Sequence, residues 1–175
     1  SERLDSEGDR VIAMTESEVQ RVVAAASSSG VETFALCLLY SFRNPVHEEQ
    51  LASALRGAGV QVTASHEILP EYREYERAST TVANAFLRPT MSTYLRTLES
   101  FSANLRVMHS AAGLTDALGA AERPITMVMS GPAGGVLGAL KVAAQAGYDR
   151  IITFDMGGTS TDVALCDGGA RFRNG

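Results

Sequence analysis

The chain has 175 residues, 45% of them hydrophobic, an ordinary globular content that excludes a disordered chain. Its net charge is −5 and its Lys and Arg residues are scattered, so no basic stripe offers a surface for nucleic acid. The longest apolar runs, 34–40 and 125–129, are far too short to span a bilayer, and no secretory leader opens the chain. Cys37 and Cys166 share no metal-type spacing and sit in apolar runs, which predicts buried thiols in a reducing compartment and hence a cytoplasmic protein.

Residues 1–9 are polar and read as a frayed start. Val19, Val22, Val23 and Ala26 recur at helical spacing across 16–26, and Ser27-Ser28-Ser29-Gly30 stops that helix. Residues 33–40 form a continuous apolar run, as expected for a strand buried on both faces. Asn44-Pro45 opens a second helix with Leu51 and Leu55 inward, and residues 60–65 read as a second strand. Strand, helix and strand within about thirty residues predict a right-handed parallel crossover. Arg73, Glu74, Glu76 and Arg77 fit either a polar site element or a solvated helix face. Residues 80–86 and 91–101 are helical, with a kink or break expected at Pro89.

Further on, 104–109 reads as a strand, 110–122 as weakly helical, and 125–129 as a buried strand. A helix is expected over 133–146, with Gly131-Pro132 before it and Gly147 closing it. Residues 151–154 form a buried strand, 155–160 a glycine turn, and 161–166 a returning strand. Asp167-Gly168-Gly169 then turns into a further strand at 170–173. Alternating strands and helices followed by hairpin-linked strands imply an α/β fold with a mixed sheet flanked by helices.

The chemistry concentrates at Asp155-Met156-Gly157-Gly158-Thr159-Ser160-Thr161-Asp162. Gly157 and Gly158 let the backbone approach a ligand closely and adopt positive φ. Exposed N–H groups in such a turn form a cup for anions, and the hydroxyls of Thr159, Ser160 and Thr161 add donors. The carboxylates of Asp155 and Asp162 suit hydrated Mg²⁺, which prefers oxygen ligands. A dinucleotide fingerprint would lead into a helix, and a P-loop would carry a lysine; this turn does neither. A plain tight turn remains open on the eight residues alone. His47, His66 and His109 are isolated and lack metal-ligand spacing, although His66 and His109 follow strands and could line a cleft.

The strand, glycine turn and returning strand resemble a phosphate hairpin of the actin-like ATPase superfamily. In the chaperone branch of that superfamily, a helix rich in small residues and containing proline likewise precedes the second phosphate hairpin. The run Ser130-Gly131-Pro132-Ala133-Gly134-Gly135, together with residues 153–163, resembles the signature of the hydantoinase A/oxoprolinase family. Residues 34–45 with His47-Glu48, and residues 73–85 with Pro89 and Tyr94, are similar to the same family. One departure is Ser110-Ala111-Ala112-Gly113, where the family usually has Ser-Asn-Gly-Gly.

The resemblance implies an actin-like, ribonuclease H-like fold. Residues 1–132 would end the first lobe, 133–149 would form a connecting helix, and 150–175 would begin the second lobe. It also implies an ATP-dependent hydrolase of cyclic amides, of hydantoin or 5-oxoproline type, that phosphorylates a carbonyl or lactam oxygen. Its alternative is a non-catalytic nucleotide-binding or regulatory subunit of an acetone-carboxylase-like complex. Gly157, Gly158, Thr159, Ser160 and Thr161 would hold ATP. Asp155 would hold Mg²⁺ and serve catalysis, with Asp162 second. The expected partners are a small cyclic amide or carbonyl substrate and a hydantoinase B-type subunit or domain. The chain opens on Ser1 and stops as a strand begins, so a piece of a longer protein, inactive alone, is expected.

Overall fold

The computed structural model describes residues 1–102, 104–111 and 113–168. The chain divides into two compact units, Ser1–Thr90 and Met91–Gly175. Among the described residues the strands form four two-stranded sheets, one parallel and three antiparallel. The architecture is therefore α/β with mixed strand directions, as expected.

The first unit begins with β1 (Arg3–Leu4) paired antiparallel to β2 (Arg10–Ile12). This start is ordered rather than frayed: Leu4 is buried, and the Asp5 carboxylate accepts from the Glu7 and Asp9 amides. Helix α1 (Glu16–Ser28) is opened by a capping box, in which Thr15 accepts from the Glu18 amide and Glu18 accepts from the Thr15 amide. Strand β3 (Thr33–Leu36), helix α2 (Val46–Gly57) and parallel strand β4 (Gln61–Ala64) form the predicted crossover. The register pairs Thr33 with Gln61 and Leu36 with Ala64. β3 is shorter than the apolar run and is not sealed on both faces, because Ala35 is exposed and residues 37–41 leave the strand in a turn. Val19, Leu51, Leu55 and Val62 are the centre of this unit's core.

A short helix α3 (Ser65–Ile68) follows β4, and α4 (Glu74–Glu99) runs on from it after a short link. Pro89 lies inside α4 and does not split it, contrary to expectation. A proline removes one amide donor, and the turns on both sides here stay helical. On the first turns of α4, Arg73, Glu74 and Glu76 are exposed while Arg77 is buried.

The second unit contains the antiparallel pair β5 (Arg106–Met108) and β6 (Leu114–Asp116), followed by α5 (Ala117–Glu122), whose N-cap Asp116 accepts from the Gly119 amide at 2.8 Å. Of the expected weak helix at 110–122, residues 114–116 are thus a strand and 117–122 are helical. The expected strand at 125–129 is instead a 3-10 turn, Pro124–Met127. Pro124 at its start fixes a helical φ, which overrides the β character of Ile125 and Val128. Leu95, Ala117 and Ala120 form the core of this unit. Helix α6 (Ser130–Gln145) includes Pro132 in its first turn, where a missing amide costs nothing. β7 (Arg150–Met156) and β8 (Thr161–Asp167) close the described part as an antiparallel hairpin. Gly168 has φ +66°, as a turn requires. The turn residue Gly169 and the strand expected at 170–173 lie outside the described residues. Cys166 is buried and Cys37 half-buried, both free. Among the described residues no helix is long and apolar enough to cross a membrane.

Leu55 is buried against α1 and β4. Leu55→Ala is expected to lower unfolding free energy by about 2–4 kcal/mol in a urea titration, and a loss below about 1 kcal/mol would contradict this packing. A pH effect is expected at Glu67. Burial raises its pKa, but the hydrogen bond and charge of Arg56, with help from His66 and the Ala64 backbone, hold the carboxyl below its ordinary value. Its contribution is present above the unfolded-state pKa and is lost as pH falls through the lower folded-state value. Arg56→Leu should therefore destabilise the protein at neutral pH, with the difference from wild type shrinking in melts below about pH 4.

Candidate functional site

The second unit places the acidic and glycine-rich segment at one end of the β7–β8 hairpin. The ladder pairs Asp155 with Asp162 and Met156 with Thr161, so the tip is Gly157-Gly158-Thr159-Ser160. The strand continues one residue past Asp155 before it turns. The glycines lead into a returning strand, as expected of a phosphate hairpin and not of a dinucleotide fold.

The strands alternate as a pleated ribbon should. Ile151, Thr153 and Asp155 share one face with Cys166, Ala164 and Asp162. The other face carries Ile152, Phe154, Met156, Val163 and Leu165, all exposed, so β7 is not the buried strand expected. The reason is that this ribbon has two strands, with cover on one face only. That cover is α6, which brings Gly135 so close that a Cβ there would lie 3.9 Å from Asp155 Oδ2. At Gly134 a Cβ would lie 3.1 Å from Met108 Sδ, so the two adjacent glycines let α6 approach strands on either side.

The tip differs from expectation in one respect. Neither Gly157 nor Gly158 has a positive φ. A Cβ at Gly157 would meet only Ser160 O at 3.5 Å, and at Gly158 it would meet nothing within 4 Å. Neither conformation nor packing within the chain therefore requires glycine at these two positions. The Gly157 amide donates to Ser160 O at 2.9 Å and closes the turn, whereas the amides of Gly158, Thr159 and Ser160 make no backbone hydrogen bond among the described residues. All four tip residues are exposed.

Asp155 and Asp162 line an open cavity of about 740 Å³ with Ser110, Pro132, Gly135 and Thr153. Ser110 is held there by its amide, which donates to Thr126 O at 2.7 Å. It belongs to the loop that departs from the family pattern; Ala112 of that loop lies outside the described residues. Gly113 is required, since a Cβ there would lie 2.0 Å from His109 Nε2. Among the described residues no group of three or more His, Cys, Asp or Glu side chains is arranged to hold a metal. The donors at the hairpin are one pair of carboxylates, a set that suits a cation keeping several waters.

The burial of two charged residues of the first unit, Glu48 and Arg77, goes beyond the sequence reading, which has Arg77 in either a polar site element or a solvated helix face and Glu48 only within the family resemblance. The signal was present in the spacing. Glu48, Leu51, Ala52 and Leu55 lie on one helical face, and so do Arg77, Thr81, Asn84 and Arg88.

The comparisons with known proteins agree on one family. A model described as Hydantoinase/oxoprolinase matches residues 77–174, and one described as Hydantoinase/oxoprolinase N-terminal region matches residues 1–59. Caprolactamase subunit alpha of Pseudomonas jessenii is 35% identical over 175 residues, covering 95% of this chain and 25% of that protein. The crystal structure of that ATP-dependent caprolactamase superposes with a TM-score of 0.83 at 34% identity, covering 94% of this chain and 25% of that one. The 5-oxoprolinase of Saccharomyces cerevisiae is 33% identical over 160 residues, covering 85% of this chain and 12% of that protein. A nucleotide-free acetone carboxylase structure gives a TM-score of 0.72 at 29% identity, covering 96% of this chain and 25% of that one. The chain spans a quarter or less of the length of these relatives.

Asp155 and Asp162 lie directly opposite each other, and facing like charges repel. Asp162→Asn should raise thermal stability in EDTA by up to about 1 kcal/mol, and Mg²⁺ should stabilise wild type more than the variant. An unchanged melting temperature in both conditions would show that the carboxylates do not interact.

Proposed function

Since the chain belongs to the hydantoinase/oxoprolinase family, we propose that its β7–β8 hairpin holds the phosphates of ATP in an enzyme that opens cyclic amides of hydantoin or 5-oxoproline type. The observation that carries this reading is the hairpin tip: two glycines with no internal reason to be glycine, beside three amides without backbone partners. ATP supplies the phosphoryl group that activates a carbonyl or lactam oxygen. The chain's own residues position it and neutralise charge. The amides of Gly158, Thr159 and Ser160 and the hydroxyls of Thr159, Ser160 and Thr161 donate to phosphate oxygens. Gly157 closes the turn and keeps the approach free of side chains. Asp155 and Asp162 would hold a hydrated Mg²⁺, which would supply positive charge against the phosphates, and Asp155 would orient its water or the attacking group.

The same reading assigns residues 1–132 to the first lobe, 133–149 to a connecting helix and 150–175 to the start of the second lobe, in an actin-like arrangement. It also includes a hydantoinase B-type partner, because related proteins carry the word subunit in their names. A second reading, a non-catalytic nucleotide-binding subunit of an acetone-carboxylase-like complex, is favoured by one observation. Ser110, at the start of the departing loop, lines the cavity beside Asp155. ADP release by the full-length protein that depends on hydantoin or 5-oxoproline supports the enzyme, and nucleotide binding without such release supports the subunit.

Asp155→Ala in the full-length protein is expected to abolish ATP turnover, a loss of at least about 100-fold, with the melting temperature kept. Unchanged ATPase activity in that variant would remove Asp155 from the mechanism.

A further inference from the structure

The first unit contains two histidines held by carboxylates, and they differ in one respect. His47 Nδ1 contacts Glu2, and its Nε2 is buried without a partner. His66 Nδ1 lies 2.7 Å from Glu48 Oε2, and its Nε2 is neither buried nor hydrogen-bonded among the described residues. The His66 side chain is 14% exposed while that of Glu48 is 0% exposed. His66 thus has one nitrogen fixed inside and the other free at the surface.

The Glu48 carboxyl is matched on both oxygens. It accepts from the Leu38 amide at 2.7 Å, Ser65 Oγ at 2.7 Å and the His66 amide at 3.0 Å, and it lies beside the His66 ring. These donors offset the cost of burying a polar group. An acceptor at that place suits the Nδ1–H tautomer of the imidazole, which leaves a lone pair on Nε2. It also stabilises the imidazolium formed when Nε2 takes a proton. This is the arrangement by which a buried carboxylate orients a general base.

The position in the fold is one that ligands favour. Leu38 and His66 each lie two residues beyond the carboxyl ends of the parallel strands β3 and β4. In open α/β sheets, ligands bind outside the carboxyl ends of the strands. The Leu38 peptide there is gripped from both sides, its amide by Glu48 and its carbonyl by Arg77 Nη2 at 2.9 Å. Arg77 also donates to Glu71 O at 3.1 Å and lies 5.2 Å from the Phe42 ring centre. Tyr40, within this clamped turn, has φ 58°, a conformation a bulky residue keeps only where its surroundings enforce it.

We propose that His66 is a proton-accepting residue of a small-molecule site in the first unit, with Glu48 as its positioning residue. The ligand class is a carbonyl compound with an acidic proton on the adjacent atom, a lactam N–H or a ketone C–H. That proton moves to Nε2, its bonding electrons shift so that negative charge gathers on the carbonyl oxygen, and the imidazolium is held against Glu48. The choice of ligand class rests on the reaction proposed above, because an oxygen so charged is the form that attacks a phosphoryl group. The existence of the site does not rest on it.

Three measurements on the full-length protein decide the matter, with hydantoin, 5-oxoproline, ε-caprolactam and acetone as probes. Diethyl pyrocarbonate should modify His66 faster than His47, and at least one probe should slow that modification without ATP. With a probe that stimulates ADP release, His66→Gln should lower kcat about 100-fold or more while KM changes less than about threefold. Selective ¹⁵N spectra should show the Nδ1–H tautomer of His66 in wild type and its loss in Glu48→Gln. Modification no faster than at His47, no protection by any probe, or full turnover in His66→Gln would overturn the proposal. Protection by a probe in a protein that releases no ADP would retain the His66 site and remove the ATP reaction.

Discussion

The register between β7 and β8 is the constraint on which the functional reading depends. Pairing Ile152 with Leu165 sets every later pair, so Asp155 meets Asp162 and four residues are left to make the tip. A slip by one residue would put the two carboxylates on opposite faces of the ribbon and take one of them out of the cavity beside α6. Gly135 of α6 lies beside the Asp155 carboxylate on the covered face. Sequence, register and helix approach thus place two negative charges together at the base of a loop with free amides.

Such an arrangement has a cost without a ligand. Facing carboxylates repel and exposed amides depend on water, while Ile152, Phe154 and Leu165 stay exposed on the ribbon's other face. Local rules broken together at one place are what a binding site produces. The first unit shows a different economy. Glu48 is buried but matched by four donors, and Arg77 lies against two carbonyls and an aromatic face, with its Nε left buried and unpartnered among the described residues. There the polar network fixes one turn, at residues 37–41.

Much of this was legible in the sequence where period and punctuation agreed. The crossover of β3, α2 and β4 followed from an apolar run, a helical face ending at glycines, and a second run. The hairpin followed from glycines between two apolar stretches. The failures have separate causes. Residues 125–129 alternate like a strand, but Pro124 commits them to a tight helical turn. Pro89 reads as a break, yet the residues around it are good enough helix formers to keep α4 whole. The burial of Glu48 and Arg77 was hidden because charge suggests solvent, although their spacing matched the buried faces of α2 and α4. The glycines at 157 and 158 read as positions of positive φ, which they do not adopt, since the turn is closed instead by the Gly157 amide.

The most direct test is a crystal structure of the full-length protein with Mg²⁺ and a non-hydrolysable ATP analogue. The account predicts phosphate oxygens within about 3 Å of the Gly158, Thr159 and Ser160 amides, with the metal's waters on Asp155. A nucleotide bound elsewhere, with the hairpin tip packed against protein, would contradict it.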